Sequence, residues 1–295
     1  MLCSDTIISQ GATFVPSLVE NAKRINYLAN RPELWAVKGS SELFTGVDLG
    51  TSMVKVVVVD HTGYPQAVVM KEAEVVKSGL VLDYFGALSI VKEIVSELRN
   101  YCPVAIEKAA TSYPPNTESA NVDTTRYILE GAELEVVRVL DEPTAANNVL
   151  GIRNGAIVDV GGGTTGISVI RDGKVIYTND SPTGGVHLSL TLAGHLGISY
   201  EEAETLKKDK SRAKEIFPIV KPVIEKISSI VSAFLTQFDW IEKIYLVGGT
   251  CELPGFAEIV RDELGIVTGK PSFPQVITPY GIALSCISAW EQGVN

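Results

Sequence analysis

At 295 residues, 45% of them apolar and 20% charged, the chain is globular and long enough to bury two cores. A net charge of −10 excludes broad binding to nucleic acid or to an anionic membrane. No apolar run reaches the roughly 20 residues of a membrane span, and Met1-Leu-Cys-Ser-Asp5 lacks the pattern of a signal peptide, so a cytoplasmic protein is expected.

Residues 1–43 read as an N-terminal extension. Ser17-Leu-Val-Glu20 has the form of a capping box. Leu18, Ala22, Ile25 and Ala29 then recur on one helical face to about Asn30. That face fits packing on the body of the protein or docking to a partner. The core starts at Phe44. Met53–Asp60 is a β-branched strand turned by Asp60-His-Thr-Gly63. Asp83 caps a helix to about Tyr101, with Leu88, Val91, Val95 and Leu98 on one face. Val104–Thr111 is a strand, Ser119–Leu129 a helix and Leu134–Leu140 a strand. That strand runs into Asp141-Glu142-Pro143, and Pro143 fits the first turn of a helix. The second half repeats the plan. Strands are predicted at Ala156–Val160, Ile167–Ile170 and Val175–Thr178. Helices follow at Val186–Leu196, from Ser199 (a second capping box) to Lys208, and at Ile219–Phe238. A strand at Lys243–Val247 precedes helices at Pro254–Leu264 and Tyr280–Trp290. Strand meanders alternating with helices in two like halves argue for an α/β fold with covered mixed sheets.

Two segments carry the same chemistry. Gly46-Val-Asp48-Leu-Gly50-Thr51-Ser52-Met-Val-Lys55 and Ile157-Val-Asp159-Val-Gly161-Gly162-Gly163-Thr164-Thr165 are each a strand, an Asp, a Gly/Thr/Ser turn and a second strand. Gly50, Thr51 and Ser52 offer backbone N–H groups and hydroxyls to a phosphate, and Lys55 offers a point charge. Gly161, Gly162 and Gly163 repeat the turn, with Thr164 and Thr165 as hydroxyl donors. Three adjacent glycines cost backbone entropy that a plain turn does not require. Asp48 and Asp159 beside phosphates imply a divalent cation, Mg²⁺. The first hairpin also reads as an ordinary turn capped by Asp48. Glu142 is the candidate to orient or deprotonate an attacking water, or simply an acid at a helix start. Gly248, Gly249 and Thr250 follow a strand, where a nucleotide can lie against the backbone near a helix N-terminus. Glu204 and Lys207 read as an exposed i,i+3 ion pair. His187 and His195 lack metal-ligand spacing. Cys3, Cys102, Cys251 and Cys286 read as reduced structural thiols.

In these elements the chain resembles the actin, heat-shock-chaperone and sugar-kinase superfamily of ATPases. Asp48–Lys55 and Asp159–Thr165 match its two phosphate motifs, and Val247–Gly255 its adenosine motif. Leu140–Ala146 and Pro279–Ala283 match its connecting segments. The resemblance implies two ribonuclease-H-like, actin-like ATPase domains with a central nucleotide cleft. These are residues 44–153 plus 279–295, and residues 154–278. It implies ATP or ADP as cofactor, a hydrated Mg²⁺ held by Asp48 and Asp159, and a water positioned by Glu142. It also brings Glu204 and Lys207 to the ribose or adenine. Lys77–Ala87, Ala110–Pro115, Thr183–Gly194 and Val220–Lys226 are more narrowly similar to the ethanolamine-utilization EutJ family. That family implies an ATP-binding, chaperone-like protein with a client enzyme of a bacterial microcompartment pathway, working in the cytoplasm or beside the microcompartment. The short stretch between Met70 and Leu88 implies reduced outer subdomains. No counterpart of the heat-shock chaperones' extra catalytic lysine is found, so any Mg-dependent ATPase is expected to be weak. An actin-like filament or scaffold protein is the alternative reading. A small-molecule kinase fits less well, because Thr111–Glu118 supplies no Asp to act as base. A reductive activator sharing an iron–sulfur cluster is disfavoured by the scattered cysteines.

Overall fold

The computed structural model describes residues 16–35, 42–73, 75–77, 80–102 and 104–293. Cys3 and the other residues before Pro16 lie outside these, as do residues 36–41. The chain forms two compact units. The first holds the described residues up to Gly151 together with those from Val276 onward, and the second is Ile152–Gln275.

In the first unit, β1 (Leu43–Leu49), β2 (Met53–Asp60) and β3 (Pro65–Glu72) form an antiparallel meander. A small hairpin, β4 (Val76–Lys77) and β5 (Leu80–Val81), leads to α2 (Tyr84–Tyr101). Asp83 caps α2 as expected, its carboxylate accepting the Gly86 N–H at 2.8 Å. Then come β6 (Lys108–Tyr113), α3 (Ser119–Gly131), β7 (Glu135–Asp141) and α4 (Glu142–Leu150). Among the described residues the sheet has five strands in the order β3-β2-β1-β6-β7, with β1, β6 and β7 parallel. The four consecutive valines Val56–Val59 of β2 are fully buried. Branched side chains suit a pleated surface, and covering on both faces explains why β2 reads as a continuous apolar run.

The second unit has the same topology. β8 (Gly155–Val160), β9 (Thr165–Arg171) and β10 (Lys174–Ser181) form the meander. Three helices follow: α5 (Gly185–Leu196), α6 (Tyr200–Lys208) and α7 (Ala213–Leu235). β11 (Lys243–Val247), α8 (Phe256–Leu264) and β12 (Val267–Gly269) complete it. The order β10-β9-β8-β11-β12 reproduces the first sheet strand for strand. The core lies between this sheet and α7, where Ile216, Val220, Ile224, Ile227 and Val231 are fully buried.

The last helix, α9 (Ile277–Glu291), belongs to the first unit and packs on α4 and β1. It is apolar nearly all round because it is buried nearly all round. The N-terminal helix α1 (Pro16–Leu28) also packs on the first unit, burying Ala22, Ile25 and Leu28 against β3 and its surroundings. The Asn21 amide donates to the Tyr280 hydroxyl at 2.8 Å, and that hydroxyl donates to the Gly63 carbonyl at 2.9 Å. Asn30 pairs with the edge strand β3 as a short strand would. Its Oδ1 accepts the Met70 N–H at 2.7 Å and its Nδ2 donates to the Met70 carbonyl at 2.8 Å.

Several boundaries differ from the sequence expectation, among them the start of β6, at Lys108 rather than Val104. α7 starts at Ala213 rather than Ile219, ends at Leu235 rather than Phe238, and carries Pro218 and Pro222 inside it. α8 starts at Phe256, because Gly249–Glu252 form a 3-10 turn and Pro254 precedes the helix. Ser17 lies within the first turn of α1 rather than ahead of it.

Candidate functional site

In the first unit the carboxyl ends of three parallel strands come level. Val47 pairs with Thr111, Ser112 with Leu140 and Tyr113 with Asp141. Asp48, the next residue on β1, therefore stands beside Ser112. On the other side Asp48 faces Lys55 across the antiparallel pair. Lys55, Asp48, Ser112 and Leu140 thus form one row on one face of the sheet. Asp48 is 6% exposed, and the Lys55 Nζ lies 3.0 Å from its Oδ2. The Gly50 N–H was expected to face a phosphate. It instead closes the turn, donating to the Met53 carbonyl at 3.1 Å and leaving Thr51 and Ser52 at the tip. Asp141 ends β7 and caps α4, accepting the Thr144 N–H at 2.9 Å and the Thr144 hydroxyl at 2.7 Å. That cap fixes Glu142 as the first residue of α4 and Pro143 as the second. The N-terminal end of the helix dipole favours the Glu142 carboxylate there.

The second unit builds the same turn. Asp159, 9% exposed, lies two residues before Gly161, whose N–H donates to the Thr164 carbonyl at 3.0 Å. The residue facing Asp159 on the partner strand is Gly166 rather than a lysine. The loop is held from behind. The Gly161 carbonyl accepts the Gly185 N–H at 3.0 Å and the Thr250 hydroxyl at 2.7 Å. The Gly162 carbonyl accepts the Val186 N–H at 2.8 Å. In a planar trans peptide the N–H of the next residue points opposite to the carbonyl. The first turn of α5 therefore takes the carbonyls and turns the Gly162 and Gly163 N–H groups away from itself. Successive N–H groups turned the same way make an anion nest.

Several residues predicted to touch a ligand have other work. Thr165 is fully buried and its single hydroxyl proton goes to the Thr183 carbonyl at 2.6 Å, so of the two threonines only Thr164 keeps a half-buried position on this turn. Thr250 spends its hydroxyl proton on Gly161. Gly248 follows β11 at φ +90°, and a Cβ there would overlap the Asp159 carboxylate and the Val160 carbonyl. Gly248 is therefore packed against the acid one residue before the end of β8, and Gly249 opens the 3-10 turn behind it. Glu204 and Lys207 are not a surface pair, since their side chains are only 17% and 15% exposed. Lys207 donates to the Gly185 carbonyl at 2.9 Å and to Glu204 at 2.5 Å, and Ser189 donates to Glu204 as well. Burial pushes the Glu204 carboxyl up. Lys207, Ser189 and Lys208 outweigh that and bring it below its ordinary value. For Lys207 burial dominates and lowers the ammonium pKa despite Glu204.

The sequence reading missed two contributors. Ser112 stands beside Asp48 with its hydroxyl buried and without a hydrogen-bond partner among the described residues. Gly184-Gly185, two glycines directly before a helix, were the available sign of the backing for the second loop. Among the described residues no group of three or more His, Cys, Asp or Glu is placed to hold a metal ion on its own. Cys102, Cys251 and Cys286 are buried free thiols, and burial raises all three, Cys102 to about 11 and Cys286 to about 12. No helix among the described residues is long and apolar enough to cross a membrane.

Comparison with known proteins places this geometry. Residues 118–270 match the family model for the type IV pilus assembly protein PilM. The ethanolamine utilization protein EutJ of Escherichia coli (strain K12) is 45% identical over 249 residues, covering 83% of this chain and 86% of its own length. The crystal structure of EutJ from Carboxydothermus hydrogenoformans has a TM-score of 0.86 at 45% identity, covering 91% of this chain and 98% of that one. MreB5 of Spiroplasma citri bound to ADP has a TM-score of 0.71 at 16% identity, covering 86% of this chain and 99% of its own. The last shows the shared actin-like fold.

Proposed function

The chain belongs to the EutJ family of ethanolamine utilization proteins, with an actin-like ATPase fold, and from that premise we propose that it binds ATP and ADP with Mg²⁺. One observation carries the reading. The same grip is built twice, once per unit: a buried Asp at a strand end, then a Gly two residues on whose N–H closes the turn. In the second unit the amides of Gly162 and Gly163, with Thr164, would take phosphate oxygens, and in the first unit Thr51 and Ser52 would. Lys55 adds its charge there by leaving Asp48.

Mg²⁺, when bound, neutralises charge on the phosphates. Asp48 in the first unit and Asp159 in the second are each fitted to hold it. They are hard oxygen donors without an all-protein cage around them among the described residues, which suits an ion that keeps its waters and uses phosphate oxygens. Glu142 orients the attacking water or accepts its proton. Gly248 and Gly249, with Glu204 and Lys207, would take the nucleoside.

The output is a chaperone-like action on a client protein, an enzyme of a microcompartment pathway of ethanolamine utilization, in the cytoplasm. ATP and ADP stabilise different states, and the client binds one of them better. Calorimetry tests the first half: Mg-ATP should bind the wild type and should bind Asp159→Ala at least tenfold more weakly. Equal binding, or none to the wild type, sinks the proposal. A pull-down with Glu142→Ala from cells growing on ethanolamine tests the second. Nucleotide-dependent capture of an ethanolamine-pathway enzyme supports it, and capture unaffected by nucleotide refutes it.

A further inference from the structure

Thr250 lies in the loop after β11, which the sequence reading assigned to the nucleoside. Its hydroxyl does something else. It donates to the Gly161 carbonyl, 89 positions earlier in the chain, at 2.7 Å. That carbonyl also accepts the Gly185 N–H at 3.0 Å, so both of its lone pairs are engaged. The two bonds come from different elements, the loop after β11 and the first turn of α5. Together they fix the plane of the Gly161–Gly162 peptide, and its N–H is forced to the opposite side. Neither glycine has a side chain to hold that plane, and glycine backbone is the least restrained of all.

We propose that Thr250 is a positioning residue for the phosphate loop, its hydroxyl locking the Gly161 carbonyl so that the Gly162 N–H is presented to a phosphate before the ligand arrives. Thr250 therefore governs affinity for the phosphate part of a nucleotide and leaves affinity for the nucleoside part alone. The inference rests on the nucleotide-binding reading above. A second perturbation reaches the same contact from the other side. A Cβ on Gly185 would come within 2.5 Å of the Thr250 hydroxyl, 3.4 Å of the Lys207 ammonium and 3.5 Å of the Gly161 carbonyl. Gly185→Ala should push the hydroxyl off its acceptor without removing it.

The test measures binding of Mg-ADP and of adenosine, each by displacement of a fluorescent ADP analogue, for wild type, Thr250→Val, Thr250→Ser and Gly185→Ala. Losing one hydrogen bond that orders the loop should weaken ADP about tenfold in Thr250→Val, with adenosine changed less than twofold. Thr250→Ser keeps the hydroxyl and should bind ADP within twofold of wild type. Gly185→Ala should follow Thr250→Val in its ratio of ADP to adenosine affinity. An unchanged ratio in Thr250→Val overturns the inference, as does an equal loss of both ligands. If Thr250→Val fails to fold, the ratio in Gly185→Ala decides in the same way. The nucleotide reading fails separately, and takes this inference with it, if wild type binds no ADP.

Discussion

The two Asp-Gly turns share topology and differ in what holds them. The Asp48 turn is supported from within its own hairpin. Lys55, seven residues on, faces Asp48 and pairs with it at 3.0 Å. The Asp159 turn has Gly166 in the facing position and is supported from outside. α5 and Thr250 hold its carbonyls, and Gly248 presses on its acid. One strand order thus supports the same Asp-Gly turn by two strategies, a local charge pair and remote backbone docking. A local support should fail alone when broken. A docked one should fail with the elements that dock it.

The largest effect is expected at Gly248. Its φ of +90° disfavours any side chain, and a Cβ would overlap both Asp159 and Val160. Gly248→Ala should destabilise the second unit by roughly 3 kcal/mol or more. Trp240 lies in that unit and Trp35 and Trp290 in the other, so Trp240 fluorescence in a Trp35→Phe, Trp290→Phe background reports it separately. Unchanged Trp240 unfolding would show that the loop after β11 is not a support of Asp159.

Lys55→Met breaks the local strategy. Asp48 is 6% exposed, so removing its cation strands a mostly buried carboxylate. The partial exposure of Lys55 places the cost at about 2–3 kcal/mol, below that of a fully buried pair. Urea unfolding should show this loss in the first unit only. Asp48→Asn added to Lys55→Met should recover part of it, because the stranded charge is then gone. A purely additive double mutant would mean that the pair is not a support.

The difference between the strategies also decides what was legible in the sequence. The register that sets Lys55 opposite Asp48 follows from local hairpin spacing, yet Lys55 reads as a phosphate ligand until the fold shows its pair with Asp48. Most strands of both sheets could be read as well, since Val56–Val59 and their counterparts carry a strong apolar signal, whereas β12, three residues long with Val267 exposed, carries none. Thr165 and Thr250 look like ligand donors in a linear reading. Only the fold shows that one serves Thr183 and the other Gly161, 18 and 89 positions away. Lys207 reads as a surface residue until α6 is placed beside α5, where its ammonium meets the Gly185 carbonyl. The start of α8 was misplaced for a related reason. Pro254 suits a first turn, but the preceding 3-10 turn and the left-handed Gly255 postpone the helix.

Thr165→Val removes a smaller support of the second turn. The Thr183 carbonyl loses a buried donor, at a cost of about 1–2 kcal/mol. The side-chain volume is nearly unchanged, so a lower urea midpoint with an unchanged slope is expected. The same substitution at Thr51, on the tip of the first turn, should do much less. Similar losses at both positions would erase the distinction between a tip residue and a strut.

The smallest effect separates the turns by pH. Glu204 and Lys207 stand behind α5, so they support the Asp159 turn at second hand. Burial acts to raise the Glu204 carboxyl, and Lys207, Ser189 and Lys208 bring it below its reference of 4.5. A carboxylate with a depressed folded pKa stabilises the fold above its unfolded value. That stabilisation is lost as pH falls below about 4.5 and through the lower folded value. Acid titration followed at Trp240 should therefore show a steeper loss of stability below pH 4.5 in wild type than in Glu204→Gln. At neutral pH the variant should already be the weaker protein by about 1 kcal/mol, and the two should converge in acid. The first unit, followed at Trp35 and Trp290, should not distinguish them at any pH. If it does, the pair supports more than the α5 side of the molecule, and the two turns are less independent than their hydrogen bonds imply.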